Sequence, residues 1–364
     1  MSRFLNETFQ SLRPYTPGEQ GVEAIHMKLN TNESPFPPCS SVLMAVSKAA
    51  TSLNLYSDPE GKRLRRSLAE YYRLDMDQIM LGNGSDELLY LAFRAYASTQ
   101  RGVVCPEISY GFYPVYAQMA ASPYLGIPLQ KNLNIRAEDF CNLQRFIVIA
   151  NPNSPTGLSL SVQEVERILK SNRDYPVLID EAYVDFGAES CLPLISKYEN
   201  LLVMQTFSKS RSLAGARLGF IAGSTELISD LQRLRYSLNP YNVNAMTLAA
   251  GEAAMQEDAL FRERCQILIE TREWSNQELV RLGFRVTQSL GNFLFVSPPD
   301  GNALAYARAL RNQGILVRHF AIEPIVNYVR ISVGTWEQMK SLLAVTKELY
   351  QRKGAMSCNS GEPV

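Results

Sequence analysis

The chain is expected to fold as an α/β protein on a mainly parallel central sheet, with a smaller α+β unit after it. Two patterns carry that expectation. Four continuous apolar runs, at 103–105, 146–150, 177–179 and 201–204, have the composition of strands covered on both faces. Between the second and third, Val162, Val165, Ile168 and Leu169 recur at helical spacing, so the rhythm is strand, helix, strand. After about residue 257 the rhythm changes. A long helical pattern runs toward Leu282, short strands follow near 292–296, 315–317 and 328–332, and a closing helix carries Met339, Leu342, Val345 and Leu349 on one side.

These shifts divide the chain into four segments. Residues 1–44, rich in Pro, Gly and Asn, read as an extended arm that adds to the small unit and to a subunit contact. Residues 45–256 form the large unit, 257–352 the small one, and the polar stretch 353–364 a disordered tail. The sequence contains no internal repeat.

Composition narrows the function classes. The 364 residues suit about two domains, and 46% hydrophobic content supplies a sizeable core. Lys plus Arg equals Asp plus Glu at 36 each, so no long-range field favours nucleic acid or an anionic membrane. Any bound anion must be held by a few local groups. Six cysteines lie scattered without a C-x-x-C pair, the pattern of reduced thiols in a cytoplasmic protein. Two histidines, His26 and His319, leave little from which to build a histidine zinc site or a Ser-His-Asp triad. No metal is expected. No apolar run approaches about 18 residues, and the first thirty lack the apolar segment of a secretory signal.

Ligands of open α/β sheets bind beyond the carboxyl ends of the strands, so the residues after each apolar run matter most. After 201–204 come Ser208, Lys209 and Ser210, with Arg217 in a Gly-containing turn eight residues past the lysine. An amine flanked by hydroxyls and a guanidinium suits a phosphorylated aldehyde: the amine forms the imine and the other groups hold the phosphate. After 177–179 come Asp180 and, three residues on, Tyr183. A carboxylate at a buried strand end keeps a ring nitrogen protonated, although alone it would pass for a helix cap. Tyr183 is placed to bond a phenolic oxygen on the same ring. After 146–150, the segment NPNSPTG at 151–157 is a rigid turn that presents one amide or hydroxyl. GNGSDE at 82–87 leads into a helical stretch, and its Ser85 and Asp86 stand where backbone N–H groups cradle a phosphate. Tyr110, after the 103–105 run, can stack on a flat heteroaromatic ring. Each feature is ordinary by itself. Four successive strand ends offering a phosphate cradle, an amide turn, an acid and a lysine are a demanding set.

At these positions the sequence resembles the fold-type I aminotransferases, and among them the histidinol-phosphate aminotransferases. The resemblance runs from about Arg13 to Tyr350. It rests on PYTPGE at 14–19, KLNTNE at 28–33, YSDP at 56–59, GNGSDE, NPNSPTG, IDEAYVDF at 179–186, TFSKSRSLAGARLGF at 206–220 and YVRISVGT at 328–335. It implies the fold of pyridoxal 5'-phosphate (PLP) enzymes of type I, with Lys209 as Schiff-base lysine and proton shuttle, Asp180 on the ring nitrogen and Tyr183 on the phenolic oxygen. It also implies Ser85, Asp86, Ser208 and Arg217 around the phosphate, Tyr110 on the ring, and a homodimer in which Tyr56 reaches the partner's cofactor. Arg330 would take the substrate anion, with Tyr15, Asn32, Tyr110 and Arg318 as further substrate contacts. In this superfamily the residue before Pro-Thr-Gly is usually Asn and here it is Ser154, so either Asn153 or Ser154 could reach the phenolic oxygen.

The activity so implied is amino transfer between L-histidinol phosphate and 2-oxoglutarate. The alternatives on the same scaffold are an aromatic amino-acid aminotransferase and, further off, a threonine-phosphate decarboxylase. A non-catalytic regulator built on the scaffold would ordinarily carry an added DNA-binding domain, and the sequence shows no such extension or basic block.

Overall fold

A computed structural model describes residues 2–20 and 24–358, with side chains described as far as 351 except that of Thr8. The described residues form thirteen strands and ten α-helices. The short strand β1 (Met27–Lys28) precedes helices α1 (Ser40–Ala50) and α2 (Lys62–Tyr72). The large sheet is built from β2 (Ile79–Gly82), β3 (Val103–Pro106), β4 (Tyr124–Ile127), β5 (Phe146–Ala150), β6 (Val177–Asp180), β7 (Leu201–Thr206) and β8 (Gly219–Gly223). Its helices are α3 (Gly84–Tyr96), α4 (Tyr113–Met119), α5 (Val162–Ser171), α6 (Thr225–Leu238) and α7 (Ala245–Gln256). The remainder comprises α8 (Asp258–Arg281), β9 (Arg285–Val286), β10 (Phe293–Ser297), α9 (Ala303–Asn312), β11 (Ile315–Leu316), β12 (Arg318–His319), β13 (Val329–Ser332) and α10 (Trp336–Cys358).

The seven strands lie in the order β2-β8-β7-β6-β5-β3-β4, and β8 alone runs antiparallel to its neighbours. The apolar runs became the sheet's centre because every residue of β5, β6 and β7 is buried. One layer packs Ile147, Ile149, Ile179 and Val203 against α2 and α5, and the opposite layer packs Val148, Leu178 and Met204 against α3 and α4. Helix α5 starts at a capping box in which Ser161 and Glu164 bond each other's backbone N–H, and it buries Val165, Ile168 and Leu169.

A second sheet of four antiparallel strands, β12-β13-β10-β9, packs on α9 and α10 around Leu294, Val296, Ile331, Met339 and Leu342. The arm joins this part of the molecule: β1 pairs with β11, and Leu29 is buried in the same cluster. Helix α10 continues to Cys358, so its last turns overlap the segment expected as a tail. Positions 359–364 lie outside the described residues.

Candidate active site

Strands β5, β6 and β7 are parallel and in register, with Ala150 beside Asp180 and Asp180 beside Met204. Their following loops therefore open on one edge of the sheet, as the strand-end argument requires. A cavity of about 110 Å³ sits there, lined among others by Ser85, Tyr110, Asp180, Tyr183, Lys209 and Arg217.

Lys209 leaves the end of β7 and its Nζ donates to the main-chain oxygen of Thr31, 3.0 Å away, 5.9 Å from the centre of the Tyr183 ring. Both neighbours of the lysine are pinned. The Ser208 N–H donates to Thr206 Oγ1 at 3.1 Å, and Ser210 Oγ donates to the half-buried Asp185 at 2.6 Å. Arg211 lies 3.8 Å over the Phe261 ring. A loop tied at three points holds its lysine in few rotamers, which is what a reacting amine needs.

Asp180 forms the floor. It is buried, accepts a 2.8 Å hydrogen bond from the Tyr113 phenol and another, 3.1 Å, from the Ala182 N–H. Burial raises its carboxyl to about 6, and the two hydrogen bonds restrain the rise. Among the described residues no cation pairs with it, so a buried carboxylate stands at the cavity with its countercharge unsupplied. Glu181 is buried in a cage of its own, accepting from the Cys191 N–H, Ser190 and Gln205, and burial lifts it to about 7.

The opposite end of the cavity is built for an anion. Ser85 and Asp86 occupy the first turn of the 13-residue α3. Arg217, held in the left-handed region at φ 57°, brings its guanidinium against that turn and donates to Asp86 at 2.8 Å. A side chain at Gly84 would place its Cβ 2.6 Å from that guanidinium, and φ there is +77°, so the position demands glycine. Tyr110 donates to Asp86 at 2.7 Å, which fixes its ring at the cavity wall.

An amine, a carboxylate lacking a cation, and a helix N-terminus with an arginine thus surround one small space. A ring that is cationic at nitrogen, carries an aldehyde and ends in a phosphate fits this donor set, and PLP is such a molecule. The phosphate would meet Ser85, Ser208 and Arg217, and the ring nitrogen Asp180.

Arg330 on β13 does not itself line the cavity but bonds Ser154, which does. The half-buried side chain donates to Ser154 Oγ and to the Asn30 carbonyl at 3.0 Å each, while its Nε has no partner among the described residues. The guanidinium lies 5.6 Å from the Phe293 and Phe320 rings, and burial holds its proton affinity below the usual range. An arginine with a spare N–H, anchored to Ser154 of the cavity wall, suits an oxyanion.

Several expected residues sit elsewhere. The Asn153 amide donates to the Ile108 carbonyl and to Thr156, and its oxygen accepts from Ser109 at 2.7 Å. That side chain is spent on the turn, and Ser154 lines the cavity in its place. Asn32 bonds the Tyr183 phenol and does not line the cavity. Tyr15 and Arg318 line a separate open depression, where Tyr15 stacks on Phe112 at 4.3 Å. Tyr56 is 83% exposed and stacks on Tyr241, so within one chain it touches nothing at the cavity. Sequence reasoning missed Tyr113 and Thr206: the first acts through Asp180, and the second reaches the loop through its hydroxyl, which the Ser208 N–H and the packed chain alone bring into play.

Comparison with known proteins identifies the family. Residues 24–345 match the family model described as aminotransferase class I and II. A histidinol-phosphate aminotransferase of Lactococcus lactis subsp. cremoris is 43% identical over 94% of this chain and 97% of its own length. One from Marinomonas sp. is 44% identical over 96% of this chain and 100% of its own. The crystal structure of histidinol-phosphate aminotransferase from Sinorhizobium meliloti in complex with pyridoxal-5'-phosphate superposes with a TM-score of 0.86 at 24% identity, covering 97% of this chain and 99% of that one. With a buried acid, a strand-end lysine and an anion cradle in one cavity, the chain belongs to the class I and II aminotransferases.

Proposed function

We propose that the protein is a PLP-dependent transaminase that moves the amino group of L-histidinol phosphate to 2-oxoglutarate, a step of histidine biosynthesis. The observation that carries the substrate reading is Arg330, whose guanidinium bonds Ser154 of the cavity wall and keeps an Nε without a partner among the described residues. One guanidinium serves the phosphate of the donor and a carboxylate of the acceptor, since the same fork suits both anions. The relatives named histidinol-phosphate aminotransferase, 41–44% identical over nearly the whole chain, support the same substrate.

When bound, PLP supplies an electron sink that makes the substrate carbon's proton acidic. The chain's own residues do the rest. Asp180 holds the ring nitrogen protonated, and Tyr183 donates to the ring's phenolic oxygen. Lys209, as a free amine at the cavity, would take up the proton from the substrate carbon and hold it for return. Ser85, Asp86, Ser208 and Arg217 would surround the phosphate, Asp86 through its backbone N–H at the start of α3, while Tyr110 would cover one ring face. The phenylalanines around Arg330 exclude water from the anion contact.

The working form in this reading is a homodimer in the cytoplasm, with residues 45–256 as the large domain, 257–352 as the small one and the arm 1–44 shared between them. A patch of exposed apolar side chains, Leu43, Met44, Leu53, Leu55, Tyr56 and Tyr241, supports the dimer. It would bring Tyr56 to the partner's phosphate. Among the described residues no helix is long and apolar enough to cross a membrane, and the buried Cys105, Cys191 and Cys265 are unpaired.

Steady-state assays with histidinol phosphate, phenylalanine and threonine phosphate test the assignment. The expected result is the highest kcat/KM for histidinol phosphate and no carbon dioxide release from any of the three. A higher kcat/KM for phenylalanine makes the enzyme an aromatic aminotransferase, and carbon dioxide from threonine phosphate makes it a decarboxylase.

A further inference from the structure

Behind Tyr183 of the cavity wall the arm passes through Asn32, a wholly buried residue whose backbone is left-handed at φ 56°. Asn is one of the few residues that adopts this region at low cost, and its side chain there makes a closed circuit. The Asn32 N–H donates to Ser332 Oγ at 2.8 Å, and Ser332 Oγ donates back to Asn32 Oδ1 at 3.0 Å. Asn292 Nδ2 holds the Asn32 carbonyl at 3.0 Å. The circuit fixes which way the amide faces. Turned around, it would leave the buried Ser332 hydroxyl hydrogen without an acceptor among the described residues. With Oδ1 committed, Nδ2 donates to the Tyr183 phenol oxygen at 2.9 Å.

We infer that Asn32 is a positioning residue for Tyr183: its amide, locked by Ser332, fills the phenol oxygen as a donor and so directs the phenol hydrogen into the cavity. A phenol that accepts from one side has its single proton to give on the other. Ser332 lies on β13 two residues from Arg330, so the same strand carries the anion receptor and the lock on the phenol. This inference rests on the cofactor reading above, in which Tyr183 donates to the ring's phenolic oxygen.

The test is the visible spectrum of the resting holoenzyme against pH, which reports the proton held between the lysine–cofactor linkage and the ring oxygen. A donor to that oxygen favours the unprotonated linkage, so loss of the donor raises the apparent pKa. Asn32→Asp keeps a residue that tolerates the left-handed backbone but removes the donor, and the new carboxylate draws the phenol hydrogen to itself. The expected shift is upward by about one pH unit, similar to that of Tyr183→Phe. In the Tyr183→Phe background, Asn32→Asp should add little. Ser332→Ala, which introduces no charge and frees the amide to rotate, should give a smaller shift of the same sign. It decides the matter if Asn32→Asp does not fold. An unchanged titration in Asn32→Asp or, failing that variant, in Ser332→Ala overturns the inference. So does a shift that persists undiminished without the Tyr183 hydroxyl. A wild-type protein with no Lys209-dependent visible band would instead refute the cofactor reading itself.

Discussion

The Tyr113 phenol donates a 2.8 Å hydrogen bond to Asp180 from helix α4, and this contact is the buried carboxylate's one side-chain partner among the described residues. It lowers the cost of burying the charge without removing it, since burial still holds the carboxyl at about 6 against the ordinary 3.8. Between those two values the folded, cofactor-free chain binds more protons at this site than the unfolded chain does. Stability contributed by Asp180 is therefore present below about pH 4 and lost as pH rises through 6. The loss is on the order of 3 kcal/mol at most. Thermal melts of the cofactor-free protein should show it as a falling Tm between pH 4 and 7. Asp180→Asn should flatten that slope in part, leaving the contribution of Glu181, which has the same sign.

A cationic ring nitrogen reverses this balance. PLP should bind more tightly as pH rises through about 6 in the wild type, because ionised Asp180 then meets its countercharge. In Asp180→Asn that part of the pH dependence should vanish, and transaminase kcat should fall by a hundredfold or more. Equilibrium binding followed by absorbance measures the first, and steady-state kinetics the second.

Arg330 holds Ser154 and Asn30 with two nitrogens and keeps the third free. Arg330→Lys preserves charge but loses the fork, and about a hundredfold loss in kcat/KM is expected for histidinol phosphate. Ser154→Ala should cost less, near tenfold, since one of two anchors remains. Equal and negligible effects from both variants would remove Arg330 from the substrate site.

The exposed Leu43, Met44, Leu55 and Tyr56 give the dimer reading its own test. Leu55→Glu should shift sedimentation from dimer toward monomer, and activity should fall with the dimer fraction. Tyr56→Phe should leave the dimer intact and weaken cofactor affinity.

The legible parts of the fold were those governed by composition over a few adjacent residues. Strands β5, β6 and β7 announced themselves as unbroken apolar runs because both their faces are covered. Strand β8, Gly219–Gly223, was not anticipated because glycines dilute the run. Strand β4 was not anticipated because, at the sheet's edge, it leaves Leu125 exposed. The site divides the same way. Lys209 and Asp180 follow strands and can be read from position along the chain. The contacts Tyr113–Asp180, Asn32–Tyr183 and Ser154–Arg330 join residues 67, 151 and 176 positions apart, and only the packed chain brings them together. Asn153 and Ser154 could not be separated in sequence because both sit in one turn, and the hydrogen bonds that spend Asn153 come from Ile108 and Ser109 on another loop.

The decisive experiment is a half-reaction. Purified holoenzyme is mixed with histidinol phosphate alone, without any 2-oxo acid, while the visible band of the Lys209-bound cofactor is followed. The band should give way, one equivalent per site, to the spectrum of the amine form, and 2-oxoglutarate should restore it. Lys209→Ala should show neither the starting band nor the conversion. A wild-type band that persists unchanged in saturating histidinol phosphate would refute the proposed chemistry of this site.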